Sequence, residues 1–258
     1  MIKAVFLDFD GTIFSHKSKT IPDSAYEAII SAQSKGIKVF LSTGRHLNNF
    51  QLFNYRKIKF DGYILDTGQL LMDKDFNVIQ VNYISGKNKE LILDQFNKKE
   101  IPILLRGLDN EAYINYIDES TIKAFDEVDT PLPKIGTYNN EEILVATIFV
   151  KDEKEKEQVK SLYKDFNVTW WHKKSADVLS KGFDKMYGVN KLIEYYHLNK
   201  DEVLAIGDGQ NDLEMISNCS NSVAMGNSIQ EIKDAADYTT SDIDDNGLYN
   251  AFKHYNII

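Results

Sequence analysis

At 258 residues the chain can form one large or two modest domains, and its 43% hydrophobic and 27% charged residues are those of an ordinary globular protein. A net charge of -9 argues against general binding to nucleic acid or anionic membranes, but leaves room for a local basic pocket for a phosphate. The single cysteine, Cys219, has no partner for an internal disulfide, and no apolar stretch approaches membrane-spanning length. The first apolar run breaks at Asp8, too early for a signal-peptide core, so a cytoplasmic protein is expected.

Ile2 to Leu7 is an almost continuous apolar run, the pattern of a strand buried on both faces of a parallel sheet. It ends abruptly in Asp8-Phe9-Asp10-Gly11-Thr12. Pro22 and Asp23 mark a helix start, with Ala25, Ile29, Ile30 and Ala32 at helical spacing and Gly36 as its close. Ile37 to Leu41 predicts a second strand ending in Ser42-Thr43-Gly44-Arg45, then a helical stretch, then a third strand over Gly62 to Leu65. Such alternation implies right-handed crossovers and a parallel sheet with helices on both faces.

The pattern changes after a hairpin-like run through Asp75, Asn77 and Val81. Helices are expected over 87–99, 120–128 and 153–165, and strands over 101–106, 112–116, 143–150, 168–172 and 177–180. That set describes an α+β unit, an antiparallel sheet with helices on one face. The charged run Lys151 to Glu157 fits the solvated face of a helix start. Alternation then returns: a helix over 185–197, a buried strand over 203–206 ending in Gly207-Asp208-Gly209-Gln210-Asn211-Asp212, a helix over 212–218 and a strand over 222–224. Met225-Gly226-Asn227-Ser228 supplies a turn and an N-cap for a helix over 229–236. The expected organisation is a doubly wound, Rossmann-like α/β core over 1–83 and 183–258, with an inserted α+β cap over 84–182.

Ligands of a parallel sheet bind beyond the carboxyl ends of its strands. Three predicted strand ends there carry Asp8 and Asp10, Thr43, and Asp208 with Asn211 and Asp212. A solvated turn after an edge strand would explain the first pair alone. Four carboxylates in one cleft need more, because two unit charges about 4 Å apart repel by roughly 4 kcal/mol at an effective dielectric near 20. A hard divalent cation is the natural remedy, and oxygen ligands without His or Cys select Mg²⁺ over zinc. Mg²⁺ commonly shares a substrate phosphate, so the combination predicts phosphoryl transfer.

Asp8-Phe9-Asp10-Gly11-Thr12, Thr43, a Lys opening the helix after the insert, and Gly207 to Asp212 resemble the four motifs of the haloacid dehalogenase superfamily of phosphatases. Thr43-Gly44-Arg45, the position of the insert and Val223-Ala224-Met225-Gly226-Asn227 are similar to its Cof-like, sugar-phosphatase branch. The resemblance implies that Asp8 is the nucleophile and forms an aspartyl-phosphate. It implies that Asp10 is the acid and base and gives its carbonyl to Mg²⁺. Asp208 would ligate the ion, with Asp212 beside or behind it, and Asn211 would position the loop. Thr43 and Lys185 would hold the phosphoryl oxygens, with Gly11, Thr12, Gly44 and Arg45 around the phosphate, the Gly44 and Arg45 amides acting as a helix N-terminus. Lys181 and Lys191 compete with Lys185 for the lysine role. One departure stands out: Thr67-Gly68 occupies the place where the branch usually has Asn-Gly.

Rival motifs fail on spacing. A calcium loop from Asp8 would meet Ile13 and Lys19 at its sixth and twelfth places, and one from Asp242 would end on Lys253. Gly207-Asp208-Gly209 lacks the third Gly of a dinucleotide fingerprint. In the insert, Arg106, Tyr113, Trp171, His172 and Lys173 are candidates to read a leaving group, Arg106, Trp171 and His172 foremost. Arg106 is its sole arginine, which favours a small phosphorylated metabolite with a neutral polar end, such as a sugar phosphate. A phosphomutase and a non-catalytic sugar-phosphate binder are the alternatives. Oligomeric state is left open, with a monomer compatible.

Overall fold

The computed structural model describes residues 1–47, 50, 58–108, 112–128 and 130–258. The helical stretch expected after Arg45 falls mostly outside these residues. The chain forms two compact units, Met1–Gln80 with Asp184–Ile258, and Val81–Phe183.

In chain order, the first unit opens with β1 (Ala4–Leu7), α1 (Asp23–Ser34), β2 (Lys38–Ser42), β3 (Gly62–Leu65), β4 (Leu70–Asp73) and β5 (Val78–Val81). The second contains α2 (Gly86–Lys98), β6 (Ile103–Arg106), β7 (Ala112–Ile114), α3 (Glu119–Glu127), β8 (Lys134–Ile135), β9 (Val145–Phe149), α4 (Glu153–Leu162), β10 (Phe166–His172) and β11 (Ser175–Ser180). The first resumes with α5 (Lys185–Tyr195), β12 (Val203–Gly207), α6 (Leu213–Asn218), β13 (Ser222–Ala224), α7 (Gln230–Ala235), β14 (Tyr238–Thr239) and α8 (Gly247–His254).

The first unit is built on an eight-stranded sheet in the order β14-β13-β12-β1-β2-β3-β4-β5. Its strands run parallel from β14 to β3, and β4 returns antiparallel to β3. Ala4, Phe6, Phe40 and Ile64 face a cluster completed by Val189, Leu192, Met215, Ile216 and Ile232 of α5, α6 and α7. Val5, Leu7, Val39 and Leu41 alternate to the other face and are equally buried. Burial on both faces is why these strands read as continuous apolar runs. Among the described residues no helix is long and apolar enough to cross a membrane.

Three details differ from expectation. Ile30 is 40% exposed; the buried stripe of α1 is Ala25, Ala28, Ile29 and Ala32, because Ile30 lies about 100° further round the helix than Ile29. Ser228 does not cap α7, whose N-cap is Ile229; the Ser228 hydroxyl donates instead to the Gly207 carbonyl, 3.3 Å away. The third concerns the six-stranded sheet of the second unit, ordered β10-β11-β9-β6-β7-β8, whose helices occupy both faces. Ile103, Leu105, Ala146 and Ile148 pack on Ile92 and Phe96 of α2 and on Val159 of α4. Leu104, Ile114 and Phe149 point the other way, onto Ala124 and Phe125 of α3. Apolar residues of β6 point to both sides, so the strand has no polar face to leave bare. The edge strand β8 pairs parallel with β7 and had no sequence signal, being two exposed residues behind Pro133.

The β3–β4 turn is a constrained stretch of backbone. Asp66, Thr67 and Gly68 all have positive φ, at 49°, 53° and 93°. A left-handed backbone costs a non-glycine residue roughly 1–2 kcal/mol, and more where the side chain is β-branched as in Thr67. A Cβ on Gly68 would lie 2.1 Å from the carbonyl oxygen of Asp184, so this turn closes directly on the start of α5. Gly68→Ala should combine backbone strain with that clash and cost about 3 kcal/mol. It would show as a lower urea midpoint at unchanged m-value; an unmoved midpoint would mean that the turn does not need glycine.

Candidate active site

Register brings the predicted acids together. Leu7 pairs with Ile206 on one side and Leu41 on the other, so β12, β1 and β2 end level with one another. Asp8, Asp208 and Thr43 leave the sheet side by side just beyond those ends. Asp8 continues the face of Ala4 and Phe6, the face covered by α5, and meets the first residue of that helix. The Asp184 carboxylate caps α5 by accepting from the Tyr187 N–H at 2.7 Å, which fixes where Lys185 starts.

Lys185 is wholly buried, and its Nζ donates to Asp8 Oδ1 at 2.5 Å and to Asp212 Oδ1 at 2.6 Å. Burial alone would strip its proton; the Asp212 and Asp8 carboxylates overcome this and hold it charged, well above the usual lysine range. Asp212 also accepts from the Asp208 and Gly209 N–H groups, both at 3.0 Å on Oδ2, and so ties down the loop that presents Asp208. The Thr12 hydroxyl donates to Asp208 Oδ1 at 3.1 Å. Gly11 crosses so near Asp208 that a Cβ there would sit 2.2 Å from Oδ2. Lys191 pairs with Glu194 at the surface, and Lys181 is exposed.

Asp8, Asp208 and Asp212 can each bring an oxygen within 4.8 Å of the others. Desolvation, then the Asp212 charge, pushes Asp8 well above the carboxylate range; the same two causes push Asp208 up to about 7. Lys185 supplies one positive charge against three carboxylates, so the set is short of cation. An all-oxygen, partly buried, charge-deficient cluster of this size fits a hard divalent ion such as Mg²⁺.

Residues 5–252 match the family model for haloacid dehalogenase-like hydrolases. The chain belongs to that family. Over 258 residues it is 29% identical to YkrA of Bacillus subtilis (strain 168), covering 99% of this chain and 98% of YkrA. Over 269 residues it is 25% identical to the 5-amino-6-(5-phospho-D-ribitylamino)uracil phosphatase YitU of the same organism, covering 97% and 96%. Among solved structures it resembles the subclass IIB sugar phosphatase BT4131, with a TM-score of 0.87, 29% identity and 99% and 100% of the two chains covered. Like its Cof-like relatives it is a phosphatase, a phosphoric monoester hydrolase.

In this phosphatase Asp10 is clamped. Arg45 grips it in a fork, Nε to Oδ2 at 2.7 Å and Nη2 to Oδ1 at 2.8 Å, and His16 Nε2 lies 2.9 Å from Oδ1. Burial would raise the Asp10 pKa, but the hydrogen bonds and charges of His16 and Arg45 outweigh it and bring it down to about 2. The Arg45 guanidinium is therefore on Asp10, not held out for an anion. The Arg45 amide, expected to help form an anion-binding helix start, donates to the Thr43 hydroxyl at 3.1 Å instead. A Thr or Ser two residues before an N–H is a standing competitor for it. Asn211 rests against Gly44 and Gly209, its Nδ2 lying 3.4 Å from where a Gly44 Cβ would be.

The candidates in the second unit do not cluster. Arg106 is on β6, whereas Trp171 and His172 are on β10, with β9 and β11 between them, a span of about 14 Å at ordinary strand spacing. The Trp171 indole donates to Asp177 at 3.3 Å, His172 pairs with Glu127 at 2.9 Å, and the Tyr113 hydroxyl donates to Glu141 at 2.9 Å.

Sequence reasoning missed His16 and a second histidine contact, His46 Nδ1 to Asp66 Oδ2 at 2.6 Å, since each pairs with a carboxylate through folding alone. It also gave no role to the Asn227 side chain. Its Nδ2 donates to the Gly11 carbonyl at 2.8 Å while its Oδ1 accepts from the Ile243 N–H at 2.9 Å. The polar turn after β13 was the available signal.

The charge deficit makes the metal measurable without turnover. Saturation with Mg²⁺ at about 100 times its Kd should stabilise the protein by about 2.7 kcal/mol, reversed by chelator. Asp208→Asn should abolish that gain in a thermal melt, and a wild-type melt indifferent to Mg²⁺ would contradict the assignment.

Proposed function

We propose that this phosphatase hydrolyses small phosphate monoesters, sugar phosphates in particular, with Mg²⁺ and through an aspartyl-phosphate on Asp8. The observation that carries this reading is the buried Lys185 between Asp8 and Asp212, with Asp208 alongside. It sets a fixed cation 2.5 Å from Asp8 Oδ1 at the end of β1, which works against burial to favour the ionised form that a carboxylate nucleophile needs if it is to act without an activating base. Asp8 and Asp208, with Asp212 and the Asp10 carbonyl beside them, would hold Mg²⁺, which when bound supplies positive charge to the phosphoryl oxygens.

The residues divide two half-reactions. An Asp8 oxygen bonds to phosphorus as the bond from phosphorus to the leaving oxygen breaks, and Asp10 gives that oxygen a proton. Asp10, now a carboxylate, takes a proton from the water that attacks phosphorus and releases Asp8. Lys185 and Thr43 offset the charge that builds on the phosphoryl oxygens. The Arg45 and His16 contacts favour the base form of Asp10, which the second step needs. Donation in the first step requires the Arg45 fork to open.

Support for a sugar phosphate is chemical. A second phosphate on the substrate would call for an arginine cluster in the inserted unit, and Arg106 is the only arginine there. The relatives agree in type: BT4131 is a sugar phosphatase, and the substrate in YitU's name carries a phosphoribityl chain.

Asp8→Asn should lower phosphate release from an aryl phosphate by on the order of 10³-fold or more, as loss of a covalent nucleophile does. The protein should keep its fold by circular dichroism, and retained turnover would end the mechanism. A panel of phosphorylated metabolites with Mg²⁺, scored by inorganic phosphate, should rank sugar monophosphates above bisphosphates and nucleotides; the reverse order would refute the substrate class.

A further inference from the structure

The turn after β3 carries two residues whose conformations are costly and whose backbone partners lie on the neighbouring loop. The Asp66 N–H donates to the Arg45 carbonyl at 3.2 Å and the Thr67 N–H to the Thr43 carbonyl at 3.1 Å. His46 and Asp66, 4% and 1% exposed, close the same two loops with a 2.6 Å contact between their side chains. A buried polar contact is a poor source of stability, because desolvation consumes most of its attraction, but it fixes geometry well. Here it fixes a left-handed threonine, a state that Thr would leave if it could.

What that conformation achieves is local. The Thr67 hydroxyl lies 3.3 Å from the point where a Gly44 Cβ would be, and Asn211 Nδ2 lies 3.4 Å from the same point. Two hydrogen-bond donors from different loops therefore lie close over the Gly44 backbone, next to Thr43. An acceptor-rich phosphoryl group is the chemistry such a pair of donors suits.

We propose that the His46–Asp66 pair is a positioning element of the active site: it holds Thr67 in its strained turn so that the Thr67 hydroxyl, with Asn211, contacts an oxygen of the bound phosphate monoester. This inference rests on the site and substrate class proposed above. It assigns a role to the threonine that stands where the branch usually has asparagine. Asparagine enters the left-handed region readily, so it would need no such pair; threonine does.

The test is a double-mutant cycle between His46→Gln and Thr67→Asn, read both as kcat/KM on an aryl phosphate and as the Kd for inorganic phosphate. Glutamine keeps a donor near Asp66 and removes the imidazole, which avoids stranding a buried carboxyl group. If His46→Gln is unfolded by circular dichroism, Asp66→Asn takes its place in the same cycle. In the Thr67 background the change should cost about tenfold in kcat/KM and weaken phosphate by a similar factor. In the Thr67→Asn background it should cost less than about threefold in each. Equal losses in the two backgrounds, or no loss in either, would overturn the proposal. A wild type that binds phosphate but releases none from any ester would instead sink the proposed function, and the Kd cycle would still decide this one. A wild type that does not bind phosphate would overturn both.

Discussion

One fully buried ammonium group organises the core unit. Lys185 sits among three carboxylates at the ends of β1 and β12, and its two carboxylate contacts hold different segments. Asp8 belongs to the end of the first strand, and Asp212 to the turn that leaves β12 and carries Asp208. Without that charge the acids could not share the cleft ionised, since burial and mutual repulsion already push Asp8 and Asp208 upward. With it they are still short of positive charge, and the shortfall is the physical reason for proposing a divalent ion at this place. Stability and chemistry make opposite demands here: a core would be better served by apolar residues, and the site is held by groups costly to bury.

Around this centre the loops are tied to one another by hydrogen bonds more than by packing. Asn227 links the Gly11 carbonyl to the Ile243 amide, Thr12 reaches Asp208, and Arg45 and His16 converge on Asp10. Most of these bonds join segments far apart in the chain, so the geometry of the site is over-determined by the fold. The Asp10 clamp has a cost of its own. A carboxylate held at about 2 stays ionised and is a weak base, so a catalytic cycle that puts a proton on Asp10 would have to include the opening of the Arg45 fork.

The second unit follows a different logic. Its sheet is covered on both faces, by α2 and α4 on one and α3 on the other, and its polar candidates are scattered over separate strands or paired to nearby acids. A lone arginine in that unit is consistent with a substrate whose second end is neutral.

Much of this was legible in the residues themselves. Continuous apolar runs ending in acids require a parallel sheet with a site at its carboxyl edge, because such a sheet hides both faces of a strand and exposes the residues just beyond its end. That determined the strand ends at Asp8, Thr43 and Asp208, while the family came from the resemblance of the motifs standing there. Contacts set by side-chain reach across the fold were not legible. Lys185 stands apart from Lys181 and Lys191 in the sequence because a helix opens there, but its burial and its contacts with Asp8 and Asp212 come only from the packing of α5. His16 on Asp10, His46 on Asp66 and the Arg45 fork are pairings between segments that local periodicity cannot register. The second helix face of the inserted sheet was missed because β6 is apolar in every position but its last, and a run without alternation does not say which side, or whether both, will be covered. The sequence by itself determined which groups exist and at which strand ends they stand. The tertiary structure alone decided which of them touch, because hydrogen bonds and ion pairs act over a few ångströms that only the folded chain defines.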